Sequence, residues 1–140
     1  MGPVEKLRAN AALAVETLRP LSDVAVFGFN RDSVAWVEGY IERQRARPEF
    51  AQETRDGLVS VLGSFLGECL IQSHGGDWRK DENGWGIYSE KYAHTAYPFN
   101  KVRKQFDNGI EEGDSILGFF DTTGALFKKR IVPKPRWKFW

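Results

Sequence analysis

The stretch GLVSVLGSFLGECLIQSHGG, residues 57–76, carries a single charged residue, Glu68. At about 100° per residue, Leu58, Val61, Leu62, Phe65, Leu66 and Cys69 fall on one arc of a helix. Ser60, Gly63, Ser64 and Gly67 fall on the other side, where small side chains let a neighbour approach the backbone. A helix with large apolar groups on one side and small ones on the other has packing partners on both, so it belongs in the middle of a fold. Gly75-Gly76 supplies a left-handed stop. A run of about 20 residues is long enough to cross a bilayer. Ser60, Ser64, Gln72, Ser73, His74 and the charge of Glu68 make that costly, so the run predicts a buried helix of a soluble domain.

The pattern extends on both sides. Val4, Leu7, Ala11, Val15 and Leu18 recur at helical spacing, with Pro20 after their end. Leu21 to Phe29 reads as an apolar connector with a short extended piece. Asn30 or Asp32 caps a second helix to about Arg45, with Val34, Val37, Tyr40 and Ile41 on one face and Glu38, Glu42 and Arg45 opposite. Pro48 marks a break before the central helix, which begins near Gln52 or Thr54. Beyond Gly76, two strand-like runs flank Asp81-Glu82-Asn83-Gly84, a strong hairpin signal. Lys91 to Tyr97 predicts a third strand, limited by Pro98. Asn100–Asn108 reads as a short helix with Val102 and Phe106 inward, and Asp114 or Ser115 caps another carrying Ile116, Leu117, Phe119 and Phe120. The expected class is α+β: N-terminal helices, a central packed helix, a small antiparallel sheet and short C-terminal helices.

The chain has 140 residues, 41% of them apolar and 28% charged, which suits one domain with its own core and not a disordered chain. Cys69 is the only cysteine, which excludes an intramolecular disulfide and the Cys-rich zinc patterns. The lone thiol, and a start (Met1 to Lys6) without the apolar core of a secretory signal, lead to an expected cytoplasmic location. Twenty basic against 19 acidic residues give a net charge of +1, which argues against a uniformly basic nucleic-acid binder. That neutrality is a cancellation. The segment ALFKKRIVPKPRWKFW, residues 125–140, holds Lys128, Lys129, Arg130, Lys134, Arg136 and Lys138 and no acid; subtracting its +6 from +1 leaves −5 on residues 1–124. The expected organisation is one α+β domain over 1–124 and a basic aromatic tail over 125–140.

With Trp137 and Trp140, the tail's charges suit an arm folded onto the acidic body or an interaction with an acidic protein. They also suit the phosphates and bases of single-stranded nucleic acid, or an anionic membrane surface. The acidic body disfavours nucleic acid. Elsewhere, Glu68 is the sharpest feature, because a carboxylate on a central helix must be paired, protonated or partly exposed. It is either a general acid/base or a ligand-orienting group in a cleft, with His94 or Asn100 as a second polar group, or a structural acceptor for nearby backbone amides, for an indole N–H such as that of Trp78 or Trp85, or for an arginine. Cys69 sits on the apolar arc and reads as core. His74, His94, Asp77 and Glu90 form no metal-ligand spacing, and the glycines form no phosphate loop, so no cofactor or metal is expected. Trp78, Trp85 and Tyr88 make the hairpin aromatic, either as a core layer or as a partner surface, and Trp36 is a candidate exposed anchor.

The motifs Gly63-Ser64-Phe65-Leu66-Gly67-Glu68-Cys69, Gly75-Gly76-Asp77-Trp78, Tyr97-Pro98-Phe99-Asn100-Lys101, Asp107-Asn108-Gly109 and Asp114-Ser115-Ile116 together resemble a family of small bacterial α+β domains of unknown function. The resemblance covers about Asp32 to Phe120 and leaves out the tail. It implies a bacterial origin and an α+β fold, and brings no chemistry with it. The reading the sequence favours is a non-enzymatic protein-binding module that uses the aromatic hairpin or the tail. A toxin-neutralising immunity protein is its specific form, by analogy of size and charge. A small-ligand protein or enzyme using Glu68, and a nucleic-acid binder using the tail, are the alternatives.

Overall fold

The computed structural model describes residues 2–48 and 51–128. Of the proposed partner-binding residues, Lys129, Arg130, Lys134, Arg136, Trp137, Lys138 and Trp140 lie outside the described residues. The element order is α1 (Pro3–Leu18), α2 (Arg31–Arg45), α3 (Gln52–His74), β1 (Asp77–Asp81), β2 (Gly84–Ser89), β3 (His94–Ala96), α4 (Pro98–Asn108) and α5 (Ile116–Lys128). This is the expected α+β class. No described helix is long and apolar enough to cross a membrane.

Helix α3 holds the fold together because it is buried on both sides. Leu62, Phe65, Leu66, Cys69 and Leu70 are at most 1% exposed, and Gly63, Ser64 and Gly67 are buried as well. Helix α1 packs along α3, burying Ala11, Ala14, Val15 and Leu18. On the small-residue side, aromatic rings rest on the α3 backbone. A Cβ added at Gly63 would lie 2.2 Å from Cδ1 of Phe99 on α4, and one at Gly67 would lie 2.2 Å from Cη2 of Trp78 on β1. The two glycines are the notches that admit α4 and the sheet.

The caps follow the sequence chemistry. The Asn30 side chain accepts from the Ser33 N–H at 2.9 Å and starts α2. Ser115 does the same for α5, its hydroxyl accepting from the Gly118 N–H at 2.9 Å. Pro98 takes the first position of α4, where a missing N–H costs nothing, so that helix begins two residues before the expected Asn100. The connector after α1 departs from the extended piece expected there. A 3₁₀ turn over Arg19–Leu21 leads into an irregular loop that buries Phe27.

The sheet is antiparallel in the order β1-β2-β3, with Trp78 opposite Ile87 and Ile87 opposite Ala96. The chain reverses at Glu82-Asn83, and Gly84 closes the turn at φ +102°, a conformation that favours glycine. The third strand is shorter than Lys91–Tyr97, being limited to His94–Ala96. Helix α5 runs on through residues 125–128 and buries Phe127. The start of the basic segment is therefore helix, and Lys128 is its exposed last residue.

Candidate functional site

Glu68 is 8% exposed, and its Oε2 accepts the indole N–H of Trp78 at 2.8 Å. Arg8 adds a long ion pair at 3.9 Å from an exposed side chain. The carboxylate thus anchors β1 to the central helix at the point where the Trp78 ring lies against Gly67. Cys69 is fully buried, and burial, reinforced by the neighbouring Glu68 charge, pushes its thiol well above the ordinary range. A thiol in that state is a poor nucleophile.

His74, at the end of α3, packs its ring on Phe120 of α5, with centroids 4.4 Å apart. It also sits against Gly124, where a Cβ would lie 2.4 Å from the imidazole. Neither ring nitrogen has a hydrogen-bond partner among the described residues. Burial, with help from the Lys128 charge, holds the imidazole below its ordinary value; the backbone at Phe120 and Ser73 and the Asp121 carboxylate oppose this more weakly. His94 lies elsewhere, edge-on to Phe127. It lines a groove of about 350 Å³ together with Asn100, Lys101 and Lys104, between β3, α4 and α5. The structure brings His94 and Asn100 to one groove; Glu68 is not among the residues lining it. Among the described residues no three His, Cys, Asp or Glu side chains converge to hold a metal ion.

The hairpin aromatics divide. Trp78 is 8% exposed and belongs to the core. Tyr88 is half-buried beneath the Arg79 guanidinium, 4.0 Å above its ring. Trp85 meets Trp78 edge-on at 6.5 Å and lines a cleft of about 440 Å³ bounded by α1, α3, the hairpin turn and α4. Asn10, Ser60, Asn83 and Asn100 bring polar groups to this cleft, and Asp56 and Arg103 pair at 3.0 Å on its wall.

A third depression, of about 370 Å³, is almost wholly apolar. Leu13, Leu18, Tyr40, Leu58 and Val61 line it, between α1 and α3 beside α2. Leu13 is 49% exposed, and Leu21, just beyond the end of α1, is 65% exposed. Trp36 stacks on Tyr40 with centroids 5.6 Å apart, and the Arg43 guanidinium lies 5.4 Å above the Trp36 ring. The expected anchor Trp36 is therefore half-buried in an aromatic ladder next to the groove.

Two groups became visible only in three dimensions. Gln105 is fully buried; its amide donates to the Glu38 carbonyl and the Glu42 carboxylate and accepts from the Ile116 N–H. Glu38 in turn accepts from the Ser115 hydroxyl. This network joins α2, α4 and α5, and isolated polar letters at helical spacing gave no signal for it. Asn10 is the other case, since its place on the cleft depends on how α1 docks. No family model, no curated protein and no solved structure matches the chain.

Proposed function

We propose that this chain is a non-enzymatic protein-binding module that receives a partner on the apolar groove between α1 and α3. The observation that carries the reading is the exposed Leu13 at the mouth of that groove, next to the Trp36–Tyr40–Arg43 ladder. Aromatic and arginine side chains around an apolar depression are the composition of protein-interface hot spots, and clustered exposed apolar groups mark interaction sites. The state of the chemical candidates supports binding over catalysis. Glu68 is committed to Trp78, and Cys69 is sealed and held as a thiol.

A toxin-neutralising immunity protein of a bacterial cytoplasm is the specific form of this reading. The −5 charge of residues 1–124 suits a basic partner, and the motif resemblance to small bacterial domains agrees with that origin. The test is affinity capture from the native host with the wild-type chain and with Leu13→Glu and Leu58→Glu variants. The expected result is one partner held by the wild type and lost from both variants, each of which still melts cooperatively. A partner held equally by all three, or none held by the wild type, would overturn the reading. A toxin gene beside the coding gene would favour the immunity form.

A further inference from the structure

We propose that the cleft at the hairpin turn binds a small neutral, hydroxyl-rich ligand, a saccharide of one or two rings, between Trp85 and the side-chain amides around it. This cleft shares no lining residue with the apolar groove, so the inference stands apart from the protein-binding reading.

The side chains of Asn10, Ser60 and Asn100 make no hydrogen bond among the described residues. They come from three helices, Asn10 half-buried and Ser60 and Asn100 exposed, and meet around one solvent-open cleft of about 440 Å³, a volume in the range of small-molecule sites. Each amide offers donors and acceptors together, and a hydroxyl does the same. A hydroxyl-rich ligand can therefore satisfy them in either sense, and they can satisfy it.

Charge sorts the candidates further. Asp56 Oδ1 already accepts from Arg103 and from Gln52, both at 3.0 Å, and this holds its carboxyl below the usual range. Among the described residues, Asp56 and Arg103 are the charged groups lining the cleft and they neutralise each other, so an ionic ligand there must compete with an existing pair. A neutral ligand leaves that pair intact. The remaining lining suits the carbon face of a sugar ring. Trp85 and Phe99 provide aromatic surface, with Leu7 and Val59 beside them. An extended peptide would need polar groups spaced along an edge. Here they surround a compact volume from α1, α3, α4 and the hairpin turn, which favours a compact ligand.

The test is a titration of the full chain, followed by amide NMR, with glucose, galactose, maltose and N-acetylglucosamine. Glucuronate and an acetylated, amidated dipeptide serve as comparators. The expected result is a saturable shift of the Asn10, Asn83 and Asn100 side-chain amides and the Trp85 indole N–H, with a Kd of about 1 mM for at least one neutral sugar. Asn10→Ala and Asn100→Ala each weaken that binding about fivefold, the loss of one hydrogen bond. Trp85→Ala weakens it by about tenfold. No saturable shift with any neutral sugar overturns the proposal. So does a shift produced equally well by glucuronate or the dipeptide, or one centred away from these residues. The wild-type titration decides the question even if a variant fails to fold.

Discussion

Helix α3 contains two glycines whose replacement by alanine should change stability in opposite directions. Alanine is favoured over glycine in a helix interior by about 1 kcal/mol, so with nothing else in play both substitutions would stabilise. Gly57 meets this condition, because a Cβ there has no neighbour within 4 Å. Gly67 does not. Its Cβ would sit 2.2 and 2.3 Å from two carbons of the Trp78 ring, well inside van der Waals contact. The indole cannot give way freely, since its N–H is fixed on Glu68 at 2.8 Å. Overpacking of this kind costs about 1–3 kcal/mol. Loosening a hydrogen bond to a charged group adds about 1.5–3 kcal/mol. After the propensity gain, Gly67→Ala should destabilise by roughly 1.5–5 kcal/mol, while Gly57→Ala stabilises by up to about 1 kcal/mol. The two variants should differ in Tm by about 10 °C for a domain of this size.

Urea denaturation of both variants, monitored by circular dichroism, measures the difference directly. A double variant identifies its cause: with Trp78→Leu in place, the cost of Gly67→Ala should largely disappear. If Gly67→Ala is as stable as the wild type, or if its cost persists without Trp78, the notch explanation is wrong.

Three further outcomes follow from the site geometry. Trp78→Phe leaves the Glu68 carboxylate buried without its donor, so it should cost about 2–3 kcal/mol in denaturant unfolding. Glu68→Gln keeps an acceptor for the indole and should cost about 1 kcal/mol or less, so a reversed order would refute the pairing. The His74 imidazole is held below its ordinary value of 6.5, so in moderately acid solution the unfolded chain binds more protons than the folded one. Its contribution is fully present above about pH 6.5 and is lost as pH falls through the lowered folded value; His74→Asn should flatten stability against pH between neutrality and that value, and an unchanged slope would refute this. Cys69 should react with a thiol reagent only as fast as the chain unfolds, so rapid labelling under native conditions would contradict its burial.

Features that depend on neighbours in sequence could be read in advance. The large and small faces of residues 57–76 predict a helix packed on both sides, and α3 has that role. Asn30 and Ser115 are capping residues of the right type in the right place, and the turn at Asp81–Gly84 is where the chain reverses. The loop from Leu21 to Phe29 was less legible, because an apolar run of that length fits a strand or an irregular segment equally well. What settles it is Phe27 packing on Phe65, with ring centroids 5.9 Å apart. The candidate site was less legible still. Glu68 stood out as a charge in an apolar run, with backbone amides, the indoles of Trp78 and Trp85 and an arginine all open as donors, and only the β1–α3 packing chose among them. Asn10 and Gln105 carried no signal, since a lone amide on a helix looks the same whether it faces water, a cleft or another helix.

Local patterning settled the α+β class, the central helix, its caps and the hairpin, because these follow from side-chain periodicity and backbone preference over a few residues. The tertiary structure decided where those elements place their side chains. It brought Trp78 onto Gly67 and Glu68, laid the His74 ring on Phe120 with neither nitrogen hydrogen-bonded among the described residues, and separated a polar cleft from an apolar groove. Each of these depends on contacts between residues distant in the chain, formed when helices and strands close around a shared core.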